Sequence, residues 1–354
     1  MDTEPDRTPR HLDQLFERIG VDAETIRTAL DERMVLTEQA RTTFPPPALA
    51  AARPELVLGR EIGRGGMGMV VLATQTALGR EVAVKRLRPD VGGEQAVRTL
   101  LQEALVTGAL EHPNIVPIYQ LELREGGAPL IVMKRIEGVP WSDCIADPSK
   151  LPGLVAGEDV LAAHLRILDQ VCNAVAFAHS KRIVHRDLKP ANVMIGAFGE
   201  VYVLDWGLAL CLDPDGAGGR FPTARNQVGI AGTPCYMAPE MTLEDLGGID
   251  ERTDVYLLGA VLHHVVTGKP RHVGENLREV LSSVYRSRPC EYGPEVPAEL
   301  AAIMNRATHQ DRASRFPSAE ALRTALREFA GHQASVQLAR EASERLEPLV
   351  ALLT

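Results

Sequence analysis

The chain has 354 residues, with 38 Lys or Arg against 47 Asp or Glu, so its formal net charge at pH 7 is −9. This acidic balance argues against nucleic acid as a partner, because neutralising a phosphate backbone requires a basic surface. The length is sufficient for two domains or for one large domain in two lobes. The five cysteines form no C-x-x-C pair that would indicate a zinc or redox site, and we expect a cytoplasmic protein with reduced thiols.

Residues 1–54 are predicted to form a helical extension that ends in a proline-rich linker. Leu12, Leu15 and Ile19 recur at helical spacing, and three consecutive prolines at 45–47 end any helix. No apolar run in the chain reaches the roughly 18–20 residues that span a bilayer, and the acidic N-terminus does not resemble a signal peptide. We therefore expect no membrane span in this chain.

Residues 55–136 have a β-type pattern. Strand-like runs at 57–62, 69–74 and 81–85 alternate with glycine-containing turns, which predicts an antiparallel meander. One helical stretch near 95–110 follows, and two further strand-like runs complete this region. We predict a small lobe built from an antiparallel sheet and one main helix.

Residues 137–331 are predicted to form a larger, mostly helical lobe. Residues 159–180 and 253–267 carry apolar side chains at the spacing of buried helices. Residues 332–354 have an amphipathic pattern with two interpretations: a C-terminal helix that packs on the large lobe, or a linker helix that leads to further sequence.

A glycine-rich run, Gly63-Arg64-Gly65-Gly66-Met67-Gly68-Met69-Val70, fits the pattern G-x-G-x-x-G-x-V. This pattern alone is also typical of a plain structural hairpin. Strand-like residues lie on both sides, so the glycines are predicted to form a hairpin tip whose backbone can approach phosphates without Cβ interference. Lys85 in the next strand can supply a positive charge to those phosphates. Glu103 is the predicted partner of Lys85, with Glu94 as the second candidate.

The most specific motif is His185-Arg186-Asp187-Leu188-Lys189-Pro190-Ala191-Asn192, which is followed by Asp205-Trp206-Gly207. With these motifs the sequence resembles the eukaryotic-like (Hanks-type) serine/threonine protein kinases of bacteria. Residues 232–240 resemble the end of a protein-kinase activation segment, and Arg315 resembles the family's partner for Glu240. The resemblance covers roughly residues 56–330 and implies an α+β, bilobal protein kinase fold.

The resemblance also implies a role for each matching residue. The implied catalytic set is Asp187, Lys189, Lys85, Glu103 and Thr233. The implied nucleotide-binding set is Ile62, Gly63, Arg64, Gly65, Gly66, Met67, Gly68, Met69, Val70, Ala83, Lys85, Met133, Ile136 and Met194. Asn192 and Asp205 are implied to hold Mg²⁺, with Mn²⁺ as an alternative, because hard oxygen ligands suit such ions. In this interpretation Asp187 accepts the proton of the substrate hydroxyl, and Thr233 braces Asp187 and Lys189.

We therefore expect transfer of the γ-phosphoryl group of ATP to serine or threonine hydroxyls of proteins, including autophosphorylation through self-association. The alternatives are a pseudokinase scaffold that binds ATP and a small-molecule phosphotransferase. Arg186 before the catalytic aspartate suggests activation by a phosphorylated residue of the activation segment. Thr223 is the candidate, because the other hydroxyl residues between Asp205 and Glu240 belong to the closing motif.

Overall fold

The computed structural model describes residues 56–66, 68–123, 129–154, 159–223, 230–242 and 248–351. The predicted helices within residues 1–54 and the predicted nucleotide-binding residue Met67 lie outside these ranges. The described residues divide into two compact units. The first unit contains the described residues up to Glu137 together with residues 205–223, and the second contains the rest.

The strands are, in chain order, β1 (Leu56–Arg64), β2 (Gly68–Gln75), β3 (Arg80–Leu87), β4 (Ile118–Leu123), β5 (Pro129–Lys134), β6 (Gly138–Pro140), β7 (Ile183–Val184), β8 (Val193–Gly196), β9 (Val201–Val203) and β10 (Leu210–Cys211). The α-helices are α1 (Glu94–Ala109), α2 (Trp141–Ala146), α3 (Val160–Ser180), α4 (Gly216–Gly219), α5 (Glu251–Thr267), α6 (Leu277–Arg286), α7 (Ala298–Ala307) and α8 (Ala319–Ala351). The first unit thus holds the five-stranded sheet and α1, and the second is mostly helical, as the sequence predicts.

The sheet of the first unit has the strand order β1-β2-β3-β5-β4, and its neighbouring strands are antiparallel. Side chains alternate between the two faces of the sheet along each strand, so each face has its own set of packing partners. One face carries a buried apolar cluster of Met69, Val71, Ala73, Val82, Val84, Leu130 and Val132. On the other face Ile131 packs with Leu100 and Ala104 of α1. Lys85 is the direct cross-strand neighbour of Ile131, so Lys85 projects from the face that α1 covers.

Residues 205–223 group with the first unit, although the sequence places them within the larger lobe. The start of this segment contacts α1 and β3. Asp205 lies 3.6 Å from the Lys85 ammonium, and a Cβ at Gly207 would lie 3.6 Å from Glu103. The division of the chain into units therefore differs from the predicted domains at this segment.

Helices α3 and α5 form the core of the second unit, together with α7 and the first part of α8. Helix α5 begins with a capping box formed by Asp250 and Thr253, and Gly268 ends it in the left-handed conformation. Among the described residues α3 is the one helix long and apolar enough to cross a membrane. Half of its apolar window is buried within the protein, and the core helix of a soluble protein passes the same test, so this is weak evidence for a span.

Helix α8 continues without a break across residue 331, where the sequence analysis places the end of the larger lobe. Its first part is buried through Ala319, Leu322, Leu326 and Phe329. All described side chains of residues 331–339 and 342–345 are exposed. His332 in this portion nevertheless lies 3.0 Å from Glu299 of α7, and both interpretations of residues 332–354 stay predictions.

Glu240 and Arg315 form the ion pair that the family resemblance implies. Two parallel hydrogen bonds of 2.8 Å join the guanidinium to the carboxylate, and both side chains are buried. The remaining N–H groups of Arg315 donate to the backbone carbonyls of Arg252, His309 and Gln310. All five N–H groups of Arg315 are therefore used, and Glu240 accepts a further hydrogen bond from Thr253.

We expect Arg315→Met to lower the free energy of unfolding by about 3–5 kcal/mol, because a buried carboxylate without its cation is strongly destabilising. The double variant Arg315→Met/Glu240→Met should recover part of this loss, since no charge remains unpaired. Arg327→Met, at an ion-paired arginine whose side chain is 57% exposed, should cost less than about 1 kcal/mol. Urea unfolding of the four proteins provides the comparison, and equal losses for Arg315 and Arg327 would contradict it.

His164 is a buried histidine that must stay neutral to make its contact. Trp141 Nε1 donates to His164 Nδ1 at 2.9 Å, an interaction that a protonated Nδ1 cannot accept. Burial lowers the pKa of His164 to about 4. In the unfolded chain the same imidazole has a pKa near 6.5. Between these values the unfolded state binds a proton that the folded state does not.

Stability should therefore fall as the pH decreases from about 6.5 towards 4, and His164 contributes up to about 1.4 kcal/mol per pH unit to this slope. His164→Asn offers an acceptor to Trp141 but takes up no proton. The slope of its unfolding free energy against pH should therefore be shallower than that of the wild type by the contribution of His164. Urea unfolding at several pH values between 7.5 and 4.5 measures both slopes. Parallel curves for the two proteins would rule out a contribution of His164.

Candidate active site

Lys85 of β3 is held between two carboxylates in the first unit. Its ammonium lies 2.5 Å from Glu103 Oε1 and 3.6 Å from Asp205 Oδ1. Burial opposes the charged form, but the attraction of Glu103 and Asp205 outweighs it and raises the pKa of Lys85 above its usual value. Lys85 therefore stays a cation. Glu94 begins α1 about two and a half turns before Glu103, so Glu103 is the residue that pairs.

Gly65 and Gly66 lie in the connection from β1 to β2, and Gly63 and Gly68 lie at the adjoining ends of those strands. The N–H of Gly65 donates to the carbonyl of Gly68 at 2.8 Å, which closes the turn. A Cβ at Gly68 would lie 3.3 Å from Lys85 Cε, so the absence of a side chain there leaves space for the lysine. Gly68 therefore lies beside the side chain of Lys85 within one unit.

The other predicted nucleotide-binding residues of the first unit fall on two faces of the sheet. Val70 is paired with Lys85, and Ala83 with Met133, on the face that carries the cation. The Met69 side chain instead belongs to the buried cluster on the opposite face. The Met69 side chain therefore points away from the face that carries Lys85, because adjacent residues of a strand point to opposite faces, and its assignment to the nucleotide site stays a prediction.

The remaining members of this set are more dispersed. Ile62 is exposed on β1, Arg64 is paired with Glu61 at the exposed end of the same strand, and Ile136 follows β5 and is half-buried. Met194 lies in β8 of the second unit, beside Tyr202 of β9. Within the first unit Gly63 pairs with Val70, Val70 with Lys85 and Ala83 with Met133, so these predicted residues lie on adjoining strands.

Four polar side chains form a closed cluster in the second unit. Lys189 Nζ donates to Asp187 Oδ2 at 2.8 Å and to Thr233 Oγ1 at 2.7 Å. Thr233 Oγ1 in turn donates to Asp187 Oδ1 at 2.6 Å. Asn192 Nδ2 donates to the Asp187 backbone carbonyl at 2.8 Å and to Oδ2 at 3.1 Å. Both oxygens of Asp187 are thus held in place, and the contact of Thr233 with Asp187 and Lys189 is present as expected.

The backbone before Asp187 is fixed by the buried carboxylate of Asp254 in α5. Its oxygens accept the N–H groups of His185 at 2.8 Å and Arg186 at 2.9 Å. His179 Nε2 donates to the same carboxylate at 2.9 Å. Burial alone raises the pKa of Asp254, but these partners hold it below its usual value. His179 belongs to no motif, and the sequence analysis did not single it out.

His185 has a structural role in this arrangement. Its Nε2 donates to the carbonyl of Leu204 at 3.1 Å, and its Nδ1 accepts the N–H of Asp187 at 3.2 Å. Arg186 has a φ of 68°, an uncommon left-handed conformation for a residue with a side chain. Gly232 has a φ of 127°, and a Cβ there would lie 3.2 Å from the Arg186 carbonyl. Glycine is therefore required beside the catalytic motif.

Asn192 and Asp205, the predicted metal ligands, both offer oxygen atoms. The amide nitrogen of Asn192 is turned towards Asp187, so its carbonyl oxygen faces away from that residue. Asp205 has a half-exposed carboxylate and a φ of 55°. Within the described ranges no three His, Cys, Asp or Glu residues form a group that could hold a metal by themselves. Each of the two side chains offers a hard oxygen atom, the kind of ligand that Mg²⁺ prefers.

Thr223, the predicted phosphorylation site, is buried. It forms a bridge with Cys211 of β10, and the Cys211 N–H donates to the carbonyl of Pro222 at 2.7 Å. Only 5% of Thr223 is exposed, so modification of its hydroxyl requires this segment to open. Trp206, which stands where phenylalanine is common in the family, is also buried.

Comparison with known proteins supports the resemblance. The protein kinase domain family matches residues 56–326. The chain is 35% identical over 300 residues to the serine/threonine-protein kinase PknD of Chlamydia trachomatis serovar D, covering 78% of this chain and 31% of that protein. It is 34% identical over 295 residues to the probable serine/threonine-protein kinase PknB of Bifidobacterium longum, covering 80% of this chain and 40% of that protein. The chain thus spans about a third of the length of these relatives.

The family match extends over most of the chain and includes both the Lys85 site and the Asp187 cluster. The chain therefore belongs to the protein kinase family, and to the bacterial Hanks-type serine/threonine kinases within it, a family that uses ATP and a divalent metal ion.

Proposed function

We propose that this protein is a serine/threonine protein kinase that transfers the γ-phosphoryl group of ATP to hydroxyl groups of proteins. The observation that carries the proposal is the closed set of hydrogen bonds among Asp187, Lys189 and Thr233. In this set the candidate base, Asp187, is bonded to the cation Lys189 and to the hydroxyl of Thr233. Thr233 is 46 residues away from Asp187, in the segment that resembles a protein-kinase activation segment. Small-molecule phosphotransferases of similar fold lack this segment, so the cluster favours a protein substrate.

In the proposed reaction the substrate hydroxyl oxygen attacks the γ-phosphorus, and the bond from that phosphorus to the bridging oxygen of ADP breaks. The hydroxyl proton passes to a carboxylate oxygen of Asp187. Both oxygens of Asp187 already accept hydrogen bonds, which hold the carboxylate in one orientation for this contact. Lys189 places a positive charge beside the carboxylate, and we assign its third N–H to the transferred phosphoryl group.

Lys85 is proposed to bind the α- and β-phosphates, with Glu103 positioning it. The glycines of the β1–β2 connection and the apolar side chains of Val70, Ala83 and Met133 are proposed to surround the nucleotide. We assign Asn192 and Asp205 as ligands of Mg²⁺, or of Mn²⁺, which neutralises phosphate charge when bound. These residues supply the functions that phosphoryl transfer requires, namely positioning and charge neutralisation.

The pseudokinase alternative is disfavoured because the residues that bind the phosphates and activate the hydroxyl are all present. We further propose that the protein acts in the cytoplasm and that it phosphorylates itself through self-association. The acidic net charge of −9 argues against nucleic acid as a partner.

We expect Asp187→Ala to lower kcat by about 10²–10⁴-fold, the contribution typical of a general base. Nucleotide binding should persist, because Asp187 is assigned to the hydroxyl rather than to ATP. Transfer of radiolabelled phosphate from ATP to a generic protein substrate, with an ATP-binding measurement in parallel, tests both statements. If the wild-type protein binds ATP but transfers no phosphate, it is a pseudokinase. If phosphate is transferred only to a small molecule, the protein is a small-molecule phosphotransferase.

We expect Lys85→Arg to lose most activity, on the order of 10²-fold or more, although it keeps the positive charge. The broad guanidinium must fit where Gly68 lies in contact with the lysine stem and where two carboxylates flank a compact ammonium. Lys181→Arg, at an exposed lysine to which we assign no role, is the matched control. Comparable activity in the two variants would contradict the assignment of Lys85.

Thr233 offers a test of the cluster itself. Thr233→Val keeps the shape of the side chain but removes one donor to Asp187 and one acceptor from Lys189. We expect kcat to fall by about 10-fold or more, with a smaller change in KM for ATP, because the lost contacts orient the base. Thr233→Ser keeps the hydroxyl and should retain most activity. A Thr233→Val variant as active as Thr233→Ser would show that the hydroxyl is not required.

A further inference from the structure

The turn between β1 and β2 is contacted by an arginine that the sequence analysis did not single out. Arg88 follows the end of β3, three residues after Lys85. Its Nη1 lies 3.3 Å from the carbonyl oxygens of both Gly65 and Gly66. One nitrogen of the guanidinium therefore bridges two successive peptide carbonyls of the turn.

Asp90 holds the guanidinium of Arg88 in the orientation that this bridge requires. Arg88 Nε donates to Asp90 Oδ1 at 3.0 Å, and Arg88 Nη2 donates to Asp90 Oδ2. Since the guanidinium is planar, these two bonds also determine the direction of Nη1. The hydrogen bonds from Arg88 lower the pKa of Asp90, so Asp90 is ionised at neutral pH. Only 24% of the Arg88 side chain is exposed, although its partner Asp90 is largely exposed.

The contact affects the direction of the turn's peptide groups. In a trans peptide the N–H points opposite to the C=O. When Arg88 holds the carbonyl of Gly65, the N–H of Gly66 is directed away from the guanidinium. The Gly65 N–H is already used within the turn, in its bond to Gly68. Gly66 has no atom within 4 Å of an added Cβ, so its own side offers little packing to hold it.

We propose that Arg88, aimed by Asp90, is a positioning residue that holds the β1–β2 turn in its nucleotide-binding conformation. The proposal rests on the proposed function, because it assigns the turn to the phosphates of ATP. Arg88 acts on the nucleotide through the turn, whereas Lys85, three residues earlier in β3, is assigned to contact the phosphates directly. The rival interpretation is an ordinary surface ion pair of Arg88 and Asp90, which has little effect on any function.

Loss of the contact between Arg88 and the turn should affect nucleotide binding but not kcat. Loss of a bridge made by one charged donor should weaken nucleotide binding by about three- to ten-fold, the effect of one such hydrogen bond. We expect Arg88→Gln and Asp90→Asn to raise both the Kd for Mg-ADP and the KM for ATP by this factor. The value of kcat should change little, because neither residue contacts the Asp187 cluster in the described hydrogen bonds. The double variant should be no worse than Arg88→Gln, since both changes remove the same contact.

The test combines calorimetric titration with Mg-ADP and hydrogen exchange of the amides of the β1–β2 segment without nucleotide. In the supporting result, Arg88→Gln and Asp90→Asn weaken binding, and amide exchange in this segment is faster than in wild type. Arg88→Lys should resemble Arg88→Gln, because one ammonium cannot bind Asp90 through two nitrogens and also bridge both carbonyls. Arg80→Gln, a change at the opposite end of β3, is the matched control and should alter neither measurement. Thermal unfolding establishes that every variant is folded.

Unchanged exchange and unchanged Kd in Arg88→Gln would overturn the proposal, and so would additive losses in the double variant. If wild-type protein binds no Mg-ADP, the proposed function fails instead. Hydrogen exchange then decides separately whether Arg88 holds the turn, because that measurement needs no nucleotide.

Discussion

The buried carboxylate of Asp254 is the interaction on which the catalytic region of the second unit depends. Arg186 has a left-handed backbone conformation, which costs about 1–3 kcal/mol at a residue with a side chain and persists only where neighbouring contacts enforce it. Asp254 enforces it through the N–H groups of His185 and Arg186. His185 then fixes the N–H of Asp187, and Asn192 holds the Asp187 carbonyl. The candidate base is thereby positioned by contacts that begin in the core helix α5.

In the first unit, Lys85 is held in position by ion pairs. Lys85 lies on the sheet face that α1 covers, so its charge is withdrawn from water and must be compensated. Glu103 provides the nearest compensation, and Asp205 lies somewhat farther away. Glu103 thus has a structural reason to be where it is, independent of any nucleotide. The same pairing holds the lysine side chain beside Gly68, at the glycine run where phosphate binding is proposed.

Contacts between residues of recognised motifs could be predicted from the sequence, because the family resemblance implies a partner for such residues. The choice of Glu103 over Glu94 agrees with the observed pair, and the contact of Thr233 with Asp187 was expected from the family resemblance. The motif did not reveal that the Met69 side chain lies on the face opposite Lys85, because a motif written as a string does not state which face of a strand each residue occupies. His179 was missed because it belongs to no motif, so nothing in the sequence pointed to its contact with Asp254 in a different helix.

Only six of the 38 basic residues are lysines, and two of those six lie at the candidate active site, where the difference between lysine and arginine matters. Arg315 donates through all five N–H groups to partners in one plane, which a lysine cannot do. Lys189 needs the opposite property. Its ammonium bonds both Asp187 and Thr233 and still carries a third N–H, and its compact charge can follow a phosphoryl group that moves during transfer. A rigid fork suits the fixed partners of a folded core, whereas a point charge on a flexible stem suits a site where charge is redistributed.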